Sequence, residues 1–257
     1  MLGCADLEVG YPGRVLARDL SLEIRAGECW GILGMNGSGK TTVLHTLGGL
    51  RPPEAGQVKL NSRPIAGYVP RDLARELGVL LQDEPAAFWG SLLEYVLLGR
   101  HPHARSLFGW GAEDLERAER ALGTVDLGGL SHRPLATLSG GERQRARLAL
   151  LLAQGPRIYL LDEPLQHLDL RHQLEAMETF RGLTAAGCGV AMVLHDTLWA
   201  GRYCDHVLLL PGDGVALAGP TAELLNRENL ERLFRCELRE YGEGDQRHFL
   251  PGTPARV

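Results

Sequence analysis

No stretch of this sequence is apolar for long enough to cross a lipid bilayer. The clean apolar run from Leu148 to Ala153 stops far short of the roughly 20 residues that a membrane helix needs. Long basic runs are missing as well. With 27 basic and 32 acidic residues the net charge is −5, which gives no cationic surface for general nucleic-acid or lipid-headgroup binding. The five cysteines (Cys4, Cys29, Cys188, Cys204 and Cys236) are odd in number, scattered and never at metal-ligand spacing. That excludes a disulfide framework and points to a reducing compartment, where thiols pack as small apolar side chains. Internal repeats, low-complexity tracts and linkers are also absent. Met1-Leu2-Gly3-Cys4 resembles the end of a lipoprotein cleavage site, but no apolar segment precedes it. We read it as a plain N-terminus of a cytosolic chain.

What is present is the composition of a globular enzyme. At 257 residues, 44% hydrophobic and 23% charged, the chain has enough apolar mass for one large α/β domain with an inserted subdomain. Leu20–Ile24 and Gln57–Asn61 alternate polar and apolar with the period of half-buried strands. Cys29–Leu33, Val79–Leu81, Ile158–Leu161, Val190–Leu194 and Val207–Leu210 are continuous apolar runs, as in strands covered on both faces. Helical patterns separate most of them, which predicts a mostly parallel sheet with an antiparallel portion near the N-terminus. From Ser91 to Thr137 the pattern turns helical, with Leu115, Ala118 and Leu122 at helical spacing. Pro211-Gly212-Asp213-Gly214 reads as a turn between two strands, and the tail from Arg239 is polar and weakly patterned.

Gly34-Met35-Asn36-Gly37-Ser38-Gly39-Lys40-Thr41 fits the G-x-x-x-x-G-K-[ST] phosphate loop without a mismatch. A buried strand precedes it. An amphipathic helix follows, with Val43, Leu44, Leu47 and Leu50 on one side. Glycines let the backbone curl so that successive N–H groups face a polyphosphate, and the helix N-terminus adds partial positive charge. Lys40 is placed to reach the β- and γ-phosphates and the Thr41 hydroxyl to hold magnesium, with Thr42 next to it among the nucleotide-binding residues. This much specifies a nucleoside triphosphate site.

Four further features narrow the class. Ile158–Leu161 is a buried strand running into Asp162 and Glu163, one acid suited to a metal and the other to polarising water. Leu138-Ser139-Gly140-Gly141-Glu142 is an S-x-x-E capping box. The glycines in its first helical turn also make it open to a phosphate. Gln82 follows one apolar strand and His195 ends another. Each of these is unremarkable alone.

Together they resemble an ATP-binding-cassette (ABC) transporter ATPase over about residues 5–220. Walker A lies at Gly34–Thr41, the Q-loop at Gln82, the signature at Leu138–Glu142, Walker B at Ile158–Glu163 and the switch histidine at His195. The D-loop ends at Asp169, and Tyr11 matches the aromatic residue that stacks on adenine. The resemblance implies a P-loop NTPase α/β cassette with a mostly parallel core sheet, an N-terminal antiparallel β portion and an inserted helical subdomain. Residues 1–90 and 138–235 are expected to form the core, 91–137 the helical part and 236–257 a tail. It further implies ATP and Mg²⁺, with Thr41, Gln82 and Asp162 around the metal and Lys40, Glu163 and His195 at the chemistry. The expected assembly is a head-to-tail homodimer with each ATP between one Walker A loop and the partner's Ser139–Glu142 turn. Leu165-Gln166-His167 departs from the small hydroxyl residue usual in this D-loop.

Ser91–His103 and Leu168–Glu175 are similar to importers of ferric siderophores, haem and cobalamin. That implies a multi-spanning permease as partner, docked near Phe88 and Trp89, a substrate-binding protein acting indirectly, and a peripheral place on the cytoplasmic face of the inner membrane. No nucleic-acid partner is expected. His101 and His103 are too few ligands for a metal site. An exporter ATPase shares every catalytic motif and stands as the alternative. A soluble ABC protein working on ribosomes or DNA fits less well, since this chain has one cassette and no long insertion between the Walker motifs.

Overall fold

The computed structural model describes residues 1–82, 88–104, 109–242 and 248–252. The chain begins with β1 (Leu2–Tyr11), β2 (Arg14–Ile24), β3 (Cys29–Gly34), α1 (Lys40–Leu47), β4 (Ala55–Leu60) and β5 (Arg63–Pro64). There follow α2 (Pro70–Glu76), β6 (Leu77–Leu80), α3 (Leu92–Leu97), α4 (Ala112–Thr124), α5 (Gly140–Gln154) and β7 (Ile158–Leu161). The last part comprises α6 (Leu170–Ala185), β8 (Gly189–Val193), α7 (Thr197–Tyr203), β9 (His206–Leu210), β10 (Leu217–Pro220), α8 (Thr221–Leu224), α9 (Arg227–Phe234), β11 (Leu238–Tyr241) and β12 (His248–Pro251).

The central sheet runs in the order β10-β9-β3-β8-β7-β6; its strands are parallel except for β10, which returns antiparallel to β9. An antiparallel sheet, β2-β1-β4-β5, covers one side. The continuous apolar runs are explained by burial on both faces. On β3, Trp30 and Ile32 pack toward the antiparallel sheet and α1, while Cys29 and Leu33 pack toward α5, α6 and α7. Strands β7 and β8 divide their side chains in the same way, with Leu160 and Val193 on one face and Tyr159 and Met192 on the other. Truncating a fully buried Leu160 to alanine removes contacts worth about 2–5 kcal/mol.

Helices α3 and α4 pack with one face of α5 into a third core, where Leu92, Val96, Ala118 and Leu122 meet Ala146, Ala149 and Ala153. The other face of α5, through Leu148 and Leu151, packs on the central sheet. One helix therefore belongs to both cores.

Two expectations fail. Leu50 is 56% exposed, because α1 stops at Leu47 and Gly49 takes a positive φ of 71°, carrying the chain off the helical face. Leu115 is exposed on α4, whose buried stripe is narrower than its spacing suggested and rests on Ala118, Ala121 and Leu122. The polar, weakly patterned tail carries a β11–β12 pair, with Leu238 buried and Phe249 packed against the second core. The segment between Ser91 and Thr137 is helical in pieces, with Pro102 in a 3₁₀ turn at Leu98–His103. Ser91 caps α3 through a reciprocal capping box with Glu94.

Candidate functional site

The site lies beyond the C-terminal ends of β3, β7 and β8, where parallel sheets collect their functional loops. Strand β3 delivers the chain to Gly34, and the loop turns into α1 at Lys40. Two glycines are obligatory there. A Cβ on Gly34 would sit 2.4 Å from Ser38 Oγ and 2.6 Å from the Leu210 carbonyl, and Gly39 has a φ of 106°.

Lys40 is 5% exposed; its Nζ donates to the carbonyls of Gly34 (2.9 Å) and Met35 (3.1 Å). Burial lowers its pKa, and the carboxylates of Glu163 and Asp162 oppose that shift. The Thr41 hydroxyl donates to Asp162 Oδ1 at 3.1 Å. Asp162 is 1% exposed, its Oδ2 has no hydrogen-bond partner, and burial raises its pKa. A buried anion with an orphaned oxygen beside a threonine hydroxyl is a donor set for a hard divalent cation. His45 on α1 stands beside it, with Nε2 3.8 Å from Oδ2.

Glu163 follows with a φ of 50°, left-handed for a residue with a Cβ. Its Oε1 lies 2.9 Å from His195 Nε2, just past the end of β8. Three separate strand ends thus bring Lys40, Thr41, Asp162, Glu163 and His195 together.

Tyr11 ends β1, half exposed, and shares a hydrogen bond of 3.3 Å with the Thr42 hydroxyl. The Arg51 guanidinium covers one ring face at 4.1 Å, and Arg51 is itself held by Gly10 and Glu54. Gln82 is half-buried; its carbonyl accepts from Arg147. The five residues after it lie outside the described residues.

The signature turn stands apart. Ser139 Oγ accepts from the Glu142 N–H at 3.2 Å and Glu142 Oε2 accepts from the Ser139 N–H at 2.7 Å, so the capping box is formed. Gly141 faces the His167 carbonyl, 3.1 Å from where a Cβ would stand. Among the described residues, nothing ties Ser139, Gly140, Gly141 or Glu142 to Lys40 or Thr41 of the same chain.

Several neighbours went unnoticed in the sequence. Arg14 donates to the Gly37 carbonyl at 2.7 Å, bracing the phosphate loop from the β1–β2 hairpin. His45 was legible in principle, since it lies four residues after Thr41 and so on the same helical face. Arg14, Arg51 and Arg147 carried no local signal.

Comparison with known proteins agrees with this geometry. Residues 17–166 match the family model described as ABC transporter. The chain is 36% identical over 247 residues to the hemin import ATP-binding protein HmuV of Rhizobium meliloti (strain 1021), covering 93% of each. It is 36% identical over 233 residues to the ferric enterobactin transport ATP-binding protein FepC of Escherichia coli (strain K12), covering 90% of this chain and 86% of FepC. Among solved structures, an inward-facing ABC transporter described as of the metal-chelate type superposes with a TM-score of 0.84 at 26% identity, covering 98% of both chains. The dimeric post-hydrolysis cassette MJ0796 with ADP and Pi gives 0.77 at 26% identity, covering 86% of this chain and 99% of that one. No described helix is long and apolar enough to cross a membrane. With its family model matched over residues 17–166 and its relatives aligned over nine-tenths of the chain, this protein belongs to the ABC transporter ATP-binding proteins, which hydrolyse ATP to drive transport.

Proposed function

We propose that this chain powers import of a metal chelate, such as haem or a ferric siderophore, through a permease dimer, from a peripheral position on the cytoplasmic face of the cell membrane. The cargo class is supported by the hemin and ferric enterobactin transport of HmuV and FepC. The site roles rest on one observation above all: Asp162 keeps an unsatisfied buried oxygen beside Thr41 while Glu163 faces His195.

In this reading Lys40 and the N–H groups of Gly37–Thr41 hold the β- and γ-phosphates, and Tyr11 offers its open face to adenine. Thr41 and Asp162, with Gln82, would hold magnesium, which would supply charge neutralisation at the phosphate oxygens. Glu163 orients and deprotonates the attacking water, and His195 holds the Glu163 carboxylate in place and senses the γ-phosphate. Because the signature turn does not reach its own chain's phosphate loop, Ser139–Glu142 completes the site of a second copy in a head-to-tail homodimer. Residues 91–137, with α5 shared between them and the core, form the arm that carries this turn.

Trp89 is 96% exposed next to Phe88, which is anchored edge-on against Tyr95 at 5.6 Å. A large exposed indole on a fixed base suits docking to a permease loop. The experiment is to tag the Glu163→Gln variant, add ATP and identify what accompanies it from solubilised membranes. Recovery of a many-spanning permease without its own ATPase, lost on Trp89→Ala with unchanged ATP hydrolysis, is expected. Recovery of ribosomes or nucleic acid with only soluble partners would refute the transport reading.

A further inference from the structure

The catalytic carboxylate is held in an uncomfortable conformation. A non-glycine residue at φ 50°, as at Glu163, costs about 1 kcal/mol and persists only where neighbours enforce it. The side chain bonded to that backbone is Gln144 on α5, which is 4% exposed. Its Nε2 donates to the Pro164 carbonyl at 3.1 Å and toward the Glu163 carbonyl at 3.4 Å. The amide nitrogen is thus directed at the two peptides that follow the Glu163 Cα.

An amide can flip, which would turn its oxygen against those carbonyls. Arg147 prevents this. Its Nη1 donates to Gln144 Oε1 at 3.0 Å, and a guanidinium has no acceptor to offer an inverted NH₂. The same guanidinium donates to the Gln82 carbonyl at 3.1 Å and to the Leu81 carbonyl. Leu81 and Gln82 follow β6 immediately and lead into the segment before Phe88 and Trp89. A chain of hydrogen bonds therefore runs from the end of β6, through Arg147 and Gln144, to the backbone of Glu163. All of it is carried by the helix that begins with the signature turn.

We propose that Arg147 and Gln144 are positioning residues for ATP hydrolysis: Arg147 locks the Gln144 amide in the orientation that sets Glu163 toward His195, and it ties that setting to the position of Leu81 and Gln82. Neither touches nucleotide. The inference rests on the reading of Glu163 as the base and adds a route by which movement of the Gln82 segment alters turnover. Shifting Gln82 loosens the guanidinium, frees the amide to rotate and relaxes the strained carboxylate. Nucleotide affinity is expected to change little, because Lys40 and the phosphate loop are not in the chain of contacts and Gln82 enters it only through its backbone carbonyl.

The test is steady-state ATP hydrolysis by the purified chain carrying Arg147→Met, Gln144→Met, both together, or Arg147→Lys, below each variant's melting temperature. The methionines keep side-chain length and apolar contact while removing the hydrogen bonds. Each single variant is expected to lower kcat about tenfold with KM for ATP within about twofold, the pattern of a lost transition-state contribution. The double variant should be no slower than the worse single, because the two residues act as one unit. Arg147→Lys should recover part of the loss by keeping one charged donor. Wild-type kcat in Arg147→Met, a loss carried by KM, or a double-variant loss equal to the product of the singles would overturn the proposal. If Gln144→Met does not fold, the comparison of Arg147→Met with Arg147→Lys decides alone. Glu163→Gln separates the two levels. A wild-type rate in that variant removes the base assignment itself, whereas an inactive Glu163→Gln beside an unaffected Arg147→Met removes only the positioning role.

Discussion

Replacing Lys40 with methionine should weaken nucleotide binding by about two orders of magnitude while leaving the nucleotide-free fold almost as stable as before. Methionine fills nearly the same volume, so no cavity opens. Two ammonium–carbonyl bonds are lost, to Gly34 and Met35. Against that loss, a charge that is 5% exposed no longer has to be desolvated. These effects oppose each other, and the net change in free-protein stability should stay within about 1–2 kcal/mol. Nucleotide affinity has no such compensation. A charged hydrogen bond to phosphate is worth about 3 kcal/mol at the upper end of its range, roughly a 150-fold rise in Kd. The assay is thermal melting with and without ATP, with magnesium chelated so that nothing is hydrolysed. At ATP equal to about 100 Kd the wild-type protein gains about 2.7 kcal/mol, some 5–10 °C for a domain of this size. For the variant the same concentration is below its Kd, and the gain shrinks to roughly 0.3 kcal/mol, under about 1 °C. A Lys40→Met protein that kept the full ATP-dependent shift would refute the placement of the polyphosphate on this loop.

Two further outcomes test the packing beneath the site. Ser139→Ala removes the acceptor of the Glu142 N–H at the start of α5, and should cost about 1 kcal/mol, seen as a melting temperature lower by about 2–4 °C. An unchanged melting temperature would show that the reciprocal Glu142 bond alone suffices as the cap. Burial raises the Cys4 thiol from 9.0 to about 11. Because the folded value lies above the unfolded one, its contribution is complete below pH 9 and is lost as pH rises from 9 to 11. The stability difference between wild type and Cys4→Ala, from urea titrations, should therefore fall by roughly 2–3 kcal/mol across that window. A difference that stayed constant would mean the thiolate is accommodated in the fold.

How much of this was legible beforehand follows from the range of the forces involved. The phosphate loop, the Asp162–Glu163 pair and the Ser139–Glu142 cap are each set by residues within a few positions of one another, so residue type and spacing suffice to recognise them. Doubly buried strands are equally local, since an unbroken apolar run has nowhere else to go in a parallel sheet. Leu50 and Leu115 misled because periodicity extends a face without knowing where a glycine ends the helix or how wide the partner surface is. The terminal hairpin was missed for the opposite reason: Leu238 and Phe249 gain their burial from α7 and α9, and the hairpin itself alternates poorly.

The order and chemical types of its motifs alone determined that this chain binds and hydrolyses a nucleoside triphosphate within the ABC family. Tertiary structure decided which distant groups serve them. Arg14 braces Gly37 across 23 residues, Gln144 holds Pro164 across 20 and Arg147 reaches Gln82 across 65. Each of these is a long polar side chain donating to a backbone carbonyl. Every residue offers such a carbonyl, so no residue type marks the acceptor, and only the packed sheet and the two-faced helix α5 determine which one lies within reach.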